Sequence, residues 1–545
     1  MKRLQLNFWT PTALAIAALI ALPILSVFSS ILTDSGEIWQ HLAETVLGRY
    51  VLNSLWLMLG VGIGVTVLGV ATAWLVTMCR FWGQRFWEVV LLLPLAAPAY
   101  LLAYIYTAIL DYYGWVQRLL RAWFGWQSAQ DYWFPEVRSL GGAIVMLILV
   151  LYPYVYLLAR VAFLEQSVTT LEASRALGCG PWKSFWAIAL PLARPAITAG
   201  LALALMETLN DFGTVQYFGV ETFTTGIYRT WFGLGAPQAA AQLAAMLMVF
   251  VGGLLALEKW SRHQAQYYQT SNNYEKPQAY DLRGGRSVGA TVVCAVPVLL
   301  GFVVPVGTLL EMAFNRPQAQ FREQFGEFAQ HSFVLASITA ILGVAIALVL
   351  AYGQRLNNGF WMRLGVRVAS LGYAIPGSVI AVGILIPIGK FDNAIANFFQ
   401  NQFNLSTGLL LSGTITALVF AYLVRFLAVS FGAVETSLGK IKPTLDDASR
   451  SLGNSPLRTL IQVHTPLMWS GLLTAAMLVF VDVMKELPAT LVIRPFNFDT
   501  LAIKVYQYAS DERLVEASVP ALAILAVGLI PVIFLSWRIA HARDE

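Results

Sequence analysis

Two stretches of this 545-residue chain read almost alike: "LEASRALGCGPWKSFWAIALP", Leu171 to Pro191, and "DDASRSLGNSPLRTLIQVHTP", Asp446 to Pro466. A shift of 275 places, the step from Leu171 to Asp446, lays Thr169, Ala173, Ser174, Arg175, Leu177, Gly178, Pro181, Pro191 and Leu192 on Thr444, Ala448, Ser449, Arg450, Leu452, Gly453, Pro456, Pro466 and Leu467. Glu172 falls on Asp447 and Lys183 on Arg458, so charge is kept. The register continues outward: Glu207 meets Asp482, Asp211 meets Glu486, and Phe223 and Thr225 meet Phe498 and Thr500. Nearer the start of each copy, Ser54 and Ser332, Ala73 and Ala351, and Pro98 and Pro376 match at a shift of 278. The chain is a tandem duplication, and internal repetition outranks any single motif in setting architecture.

Each polar copy is wedged between long apolar runs. The chain is 58% hydrophobic and only 12% charged, against roughly 25% charged in soluble domains. A membrane helix needs about 20 mostly apolar residues, because lipid offers the backbone no hydrogen-bond partners. Twelve runs qualify: 11–31, 52–78, 88–110, 141–163, 195–212 and 239–258, then 288–312, 333–353, 367–389, 408–431, 468–486 and 517–537. The expected fold is all-α, a polytopic membrane protein of about twelve spans in two tandem six-helix halves. Cys79, Cys179 and Cys294 have no paired spacing, so they read as small apolar filler rather than disulfide or zinc sites.

The expected organisation is a first half at 1–258 with its polar loop at 165–192, a linker at 259–287, and a second half at 288–545 with its loop at 440–467. Six spans per half is an even number, so the halves run in the same direction, a parallel repeat about the membrane normal. The linker text "KWSRHQAQYYQTSNNYEKPQAYDLRGGR" is polar and closes on Gly-Gly. The N-terminal run after Lys2 and Arg3 is long for a cleavable signal and reads as an uncleaved first span. With the N-terminus inside, 23 of the 35 Lys and Arg fall on the inner side and 12 on the outer. That bias supports a multi-pass membrane protein with both termini cytoplasmic. It also accounts for a pI near 9.0 without calling on nucleic acid.

This orientation puts both polar loops in the cytoplasm. Thr169 with Glu172, and Thr444 with Asp447, fit a hydroxyl N-cap with an acid in the first turn. Gly178 and Gly453 suit the left-handed residue ending a helix. Pro181 and Pro456 suit the first position of the next helix, with Ser455 as cap. Pro191 and Pro466 are expected to break that second helix. An amphipathic helix resting at the headgroups, anchored by Trp182 and Trp186, fits one copy equally well. Two copies sharing Ala-Ser-Arg-x-Leu-Gly fit docking into a partner's cleft better, because headgroup contact asks only for amphipathicity.

"EASRALG" with "LP" downstream resembles the cytoplasmic EAA loop of importer permeases in the ATP-binding cassette (ABC) superfamily, type I. "DDASRSLG" with "TP" resembles its second copy, departing at Asp447 and Thr465. The resemblance implies that Glu172, Ala173, Ser174, Arg175, Gly178 and Pro191, and Asp447, Ala448, Ser449, Arg450, Gly453 and Pro466, seat two coupling helices on two cytoplasmic ABC ATPase subunits. ATP and Mg would then be bound by those partners and no cofactor by this chain. The chain itself carries no G-x-x-x-x-G-K-[ST] phosphate loop, the nearest text being "SLGKIK" at Ser437 to Lys442. It is expected to be a permease rather than an enzyme.

The substrate clue lies at the outer end of the fifth span of each half. "METLNDFGTVQYFG" and "VDVMKELPATLVI" set Glu207, Asn210 and Asp211 against Asp482, Lys485 and Glu486. Acids in or near a span are costly unless they face a cavity or a partner, so these six are pathway candidates. Equally, Lys485 can neutralise an acid and the others can cap helix ends. Hard oxygen ligands suit a hard cation. The flanking text is similar to fused permeases of the ferric iron importer family, which implies iron(III) as substrate and a periplasmic iron-binding protein as partner. The same acids also suit thiamine or another small cation, and an ion-coupled secondary transporter uses intramembrane acids too.

Overall fold

The computed structural model describes residues 8–33, 35–164, 180–263, 280–315 and 319–541. Helices dominate as expected, and among the described residues the strands are two dipeptides, Cys79–Arg80 and Tyr280–Asp281, paired in parallel. The latter closes the linker onto the end of the second span, where the Leu282 amide donates to the Arg80 carbonyl at 2.9 Å.

Ten described helices are long and apolar enough to cross a membrane, and two bent helix pairs raise the number to as many as twelve. The bent pairs correct the expectation of simple spans. Over the third run, Gln84–Ala96 and Ala99–Phe124 meet at 91°. Pro98 is the N-cap of the second piece, with the extended backbone that a residue before a new helix adopts. Its repeat partner Pro376 caps Gly377–Phe403 in the same way, so the ninth span starts there and the expected 367–389 begins too early. Phe360–Ala369 forms a separate short helix before it. Neither proline can donate to a preceding turn, which is why the helix restarts at both positions.

The chain divides into two compact units that cut across the sequence halves. One contains Met1–His41, Gly226–Met248 and Ala319–Lys504; the other contains Leu42–Thr225, Val249–Gln318 and Val505–Glu545. In the first unit, the opening helix Trp9–Ser29 packs on Phe360–Ala369 and Gly377–Phe403 of the second half. Trp9 meets the Tyr352 ring edge-on at 5.4 Å, and Asn357 donates to Thr10 at 3.0 Å. Gln242, on the helix Pro237–His263, donates to the carbonyls of Ser30 and Thr33 at 3.2 and 2.8 Å. In the second unit, Val304–Asn315 packs on Leu514–His541 and on Ala99–Leu110. Tyr106 donates to the Leu300 carbonyl there at 2.6 Å. The first span of each half is thus enclosed with the central spans of the other.

Two of the 23 basic residues counted on the inner side are buried within helices. Arg160, on Leu140–Leu164, is buried against the buried Glu88. Arg425, on Ile415–Gly439, is buried against Glu486.

Candidate functional site

The second polar loop is a compact pair of short helices, Thr444–Ser451 and Pro456–Thr459. The first ends in a Schellman turn: the Gly453 amide donates to the Arg450 carbonyl at 2.9 Å and the Asn454 amide to the Ser449 carbonyl at 3.1 Å. Gly453 supplies the left-handed residue, with φ +80°. Ser455 caps the second helix through the Arg458 amide, with Pro456 in its first turn. Ser449 lies 2.8 Å from the Thr459 hydroxyl and accepts from Asn454 at 3.2 Å, fastening the two helices together.

Two local expectations are corrected. Thr444 is the first helical residue rather than the cap; Pro443 stands in that place, and no side chain caps it. The prolines at 191 and 466 do not break their helices. Each follows a wide turn, Phe185–Ala189 and Leu460–His464, whose longer hydrogen-bond step accommodates a residue without an amide proton. The first helix then runs on from Leu190 to Asn210. The second bends by 82° only at Met468, between Pro456–Leu467 and Trp469–Met484.

A buried polar anchor, not anticipated from the sequence, holds this loop to the body. Asp446 accepts from Arg355 Nε and Nη2 at 2.9 and 2.6 Å, and His464 Nε2 lies 2.8 Å from its other oxygen. A carboxylate only accepts, so His464 carries its proton on Nε2. Arg355, at the end of Ala319–Leu356, also donates to the carbonyls of Leu438 and Ile441 at 2.7 and 2.9 Å. Burial alone would raise the Asp446 carboxyl, but the bonds from His464 and Arg355 outweigh it and hold the group below the ordinary carboxylate value. A carboxyl depressed on folding contributes stability above its unfolded value, lost as pH falls through the folded one. Asp446→Ala is expected to cost about 1–3 kcal/mol and to flatten the fall in thermal stability below about pH 4. Calorimetry of the two proteins across pH 3 to 6 checks both.

Asp446 and Ser449 face inward, while Asp447, Ala448, Arg450 and Gly453 face solvent. Leu452 is 82% exposed, and Leu445, Leu457 and Ile461 are exposed near it. Of the first loop, Glu172, Ala173, Ser174, Arg175 and Gly178 lie outside the described residues. The sequence places Leu171 and Ala189 where the second half has Asp446 and His464, and, at the shift of 278 that holds nearer the start of each copy, Thr77 where it has Arg355.

The candidate acids fall into the two units separately. Asp211 accepts from the Thr214 hydroxyl at 2.9 Å and the Val215 amide at 3.1 Å, capping Gly213–Tyr217. Glu486, its repeat partner, accepts from the amides of Ala489 and Thr490 at 2.9 and 3.0 Å and from the Thr490 hydroxyl at 2.6 Å, capping Pro488–Ile493. Glu486 also pairs with Arg425 at 3.0 Å, and Asp482 with Lys485 at 3.2 Å. Asn210 is buried and Glu207 half-buried at the end of the fifth span.

Residues 65–257 match the family of binding-protein-dependent transport system inner membrane components. The Fe(3+)-transport system permease protein FbpB 2 of Haemophilus influenzae is 26% identical over 532 residues, 95% of this chain and 96% of that one. The ferric transport system permease protein FbpB of Actinobacillus pleuropneumoniae is 22% identical, over 96% of this chain and 77% of its own. Over nearly its whole length the chain is similar to these permeases of binding-protein-dependent transport. The molybdenum transport system permease protein ModB of Escherichia coli is 28% identical but matches only 35% of this chain and 83% of its own, the length of one half. This permease therefore carries in one chain two copies of what such a relative carries once. The chain is a transport component rather than an enzyme.

Proposed function

We propose that this permease is the membrane subunit of an ATP-driven importer of iron(III), taking its cargo from a periplasmic binding protein and its work from two cytoplasmic ATPase subunits. The observation that carries the reading is the second loop. A short helix turns its Asp447, Ala448, Arg450 and Leu452 outward while Asp446 ties it to the body. Exposed leucines beside charged groups fit a partner's groove, since the core of an interface is apolar and its rim polar. The anchor makes such a helix a lever. A partner that moves it moves Arg355 and the span behind it, because Asp446 and His464 leave little freedom between loop and body. ATP binding would draw the two loops together and turn the permease outward; hydrolysis would return it. The Lys and Arg bias supports loops on the inner side. The full-length similarity to ferric permeases supports the cargo.

Reconstitution tests the reading. The chain, purified with its ATPase subunits into vesicles and supplied with its binding protein, is expected to take up iron(III) only when ATP is present at the loop side. Thiamine and molybdate should not compete. Uptake driven by a proton or sodium gradient without ATP would sink it.

A further inference from the structure

Four elements of one unit meet at the carboxylate of Asp446. It stands on Thr444–Ser451; Arg355 reaches it with two charge-assisted bonds from the end of Ala319–Leu356, and His464 from the turn Leu460–His464. Arg355 also donates to the carbonyl of Leu438, at the end of Ile415–Gly439, and to that of Ile441. His464 is fully buried, its ring 5.3 Å from that of Tyr352 on the helix that carries Arg355. The second loop therefore cannot shift against the second and fourth spans of its half without breaking these bonds.

The first half is built otherwise. At the shift of 278, Arg355 falls on Thr77, whose hydroxyl donates to the Ala73 carbonyl of its own helix at 2.7 Å. The next basic residue, Arg80, is exposed. Asp446 and His464 fall on Leu171 and Ala189, which cannot ionise. A buried ion pair of this half, Arg160 with Glu88, joins the fourth span, Leu140–Leu164, to the helix Gln84–Val90 instead. At neither shift does Arg160 meet a basic residue or Glu88 an acidic one.

We propose that the two loops are geared unequally: Arg355, Asp446 and His464 make the second loop a stiff transmission from its ATPase subunit to the second span, and the first loop carries no residues for such a gear at those positions. The inference rests on the ATP-driven reading and names the loop through which the stroke passes. Hydrogen bonds weaken steeply as their geometry is bent, whereas apolar contact is non-directional and lets surfaces slide. A displacement of the second loop is thus handed on to Arg355, and coupling between distant sites travels through such bonded networks. Arg355 and His464 are positioning residues: they lie behind the docking face and act through Asp446.

The test uses the reconstituted transporter with its ATPase subunits and iron-loaded binding protein, and reads iron(III) taken up per ATP hydrolysed. His464→Leu fills the space of the ring without a donor. It should fold, co-purify with the ATPase subunits and hydrolyse ATP as the wild type does, while uptake per ATP falls about fivefold or more. His464→Gln returns an N–H donor for Asp446 and should recover most of that loss, which a role in filling space would not give. Arg355→Lys puts a point charge in place of a fork that binds three groups at once and should lower the ratio as well. Thr77→Ala, at the repeat position of Arg355, should keep the wild-type ratio. A wild-type ratio in both His464→Leu and Arg355→Lys, or an equal loss in Thr77→Ala, would overturn the unequal gearing while leaving ATP-driven import standing. Loss of the ATPase subunits from His464→Leu would make the residue part of docking and overturn its role as a gear. A wild type that hydrolyses ATP but moves no iron(III) would overturn the import reading itself.

Discussion

Arg425→Ala will destabilise the permease by about 3–5 kcal/mol, the range for breaking a buried ion pair from one side. Arg425 and Glu486 are both buried and 3.0 Å apart. The carboxylate keeps its bonds from Ala489 and Thr490, but those dipoles do not replace a full charge in a medium that solvates ions poorly. The site has no room to readjust. Gly377 lies against the pair so closely that an added Cβ would stand 2.7 Å from Glu486 Oε1 and 2.8 Å from Arg425 Nη1. Removing the orphaned charge as well, in Arg425→Ala with Glu486→Gln, should recover more than half the loss, since residues in contact are not additive. Thermal unfolding of the solubilised single and double variants measures it. Equal midpoints for the two would show that the pair contributes nothing as a pair.

This pair also shows where sequence reading stops. The repeat placed Glu486 opposite Asp211, and the structure gives both the same local task, capping the short helix that follows. Capping is local and therefore legible. The partner of Glu486 is not: Arg425 sits 61 residues away on another span, and nothing in its own neighbourhood marks it as facing inward. Asp446 and Asp447 illustrate the same limit within one turn. Aligning the copies directs attention to Asp447 because it falls on Glu172, whereas the residue that fixes the loop is Asp446, with Leu171 in its place in the first copy. The spans were legible because lipid demands a long apolar run. Their bends and their exchange between halves were not, because those depend on which faces meet, and an almost uniformly apolar helix carries little facial pattern.

Gly453→Asn separates the folding of the loop from its use. At φ +80° most side chains strain the backbone, and a β-branched residue there would cost about 1–3 kcal/mol. Asparagine tolerates the left-handed region, and nothing lies within 4 Å of a Cβ built at this position. The variant should therefore fold, keep the Schellman turn and unfold near the wild-type temperature. If Asp447 to Gly453 is the surface seated in an ATPase subunit, the new side chain projects into that seat. Losing about 2 kcal/mol there corresponds to roughly thirtyfold in affinity. ATP-driven uptake should fall accordingly, while binding-protein capture at the other face is unchanged. Co-purification of the ATPase subunits with the variant reads out docking, and uptake by the vesicles reads out coupling. Gly453→Val would add strain and confuse the two effects, so the asparagine variant decides. Normal uptake with a full complement of ATPase would mean that the loop docks elsewhere or not at all.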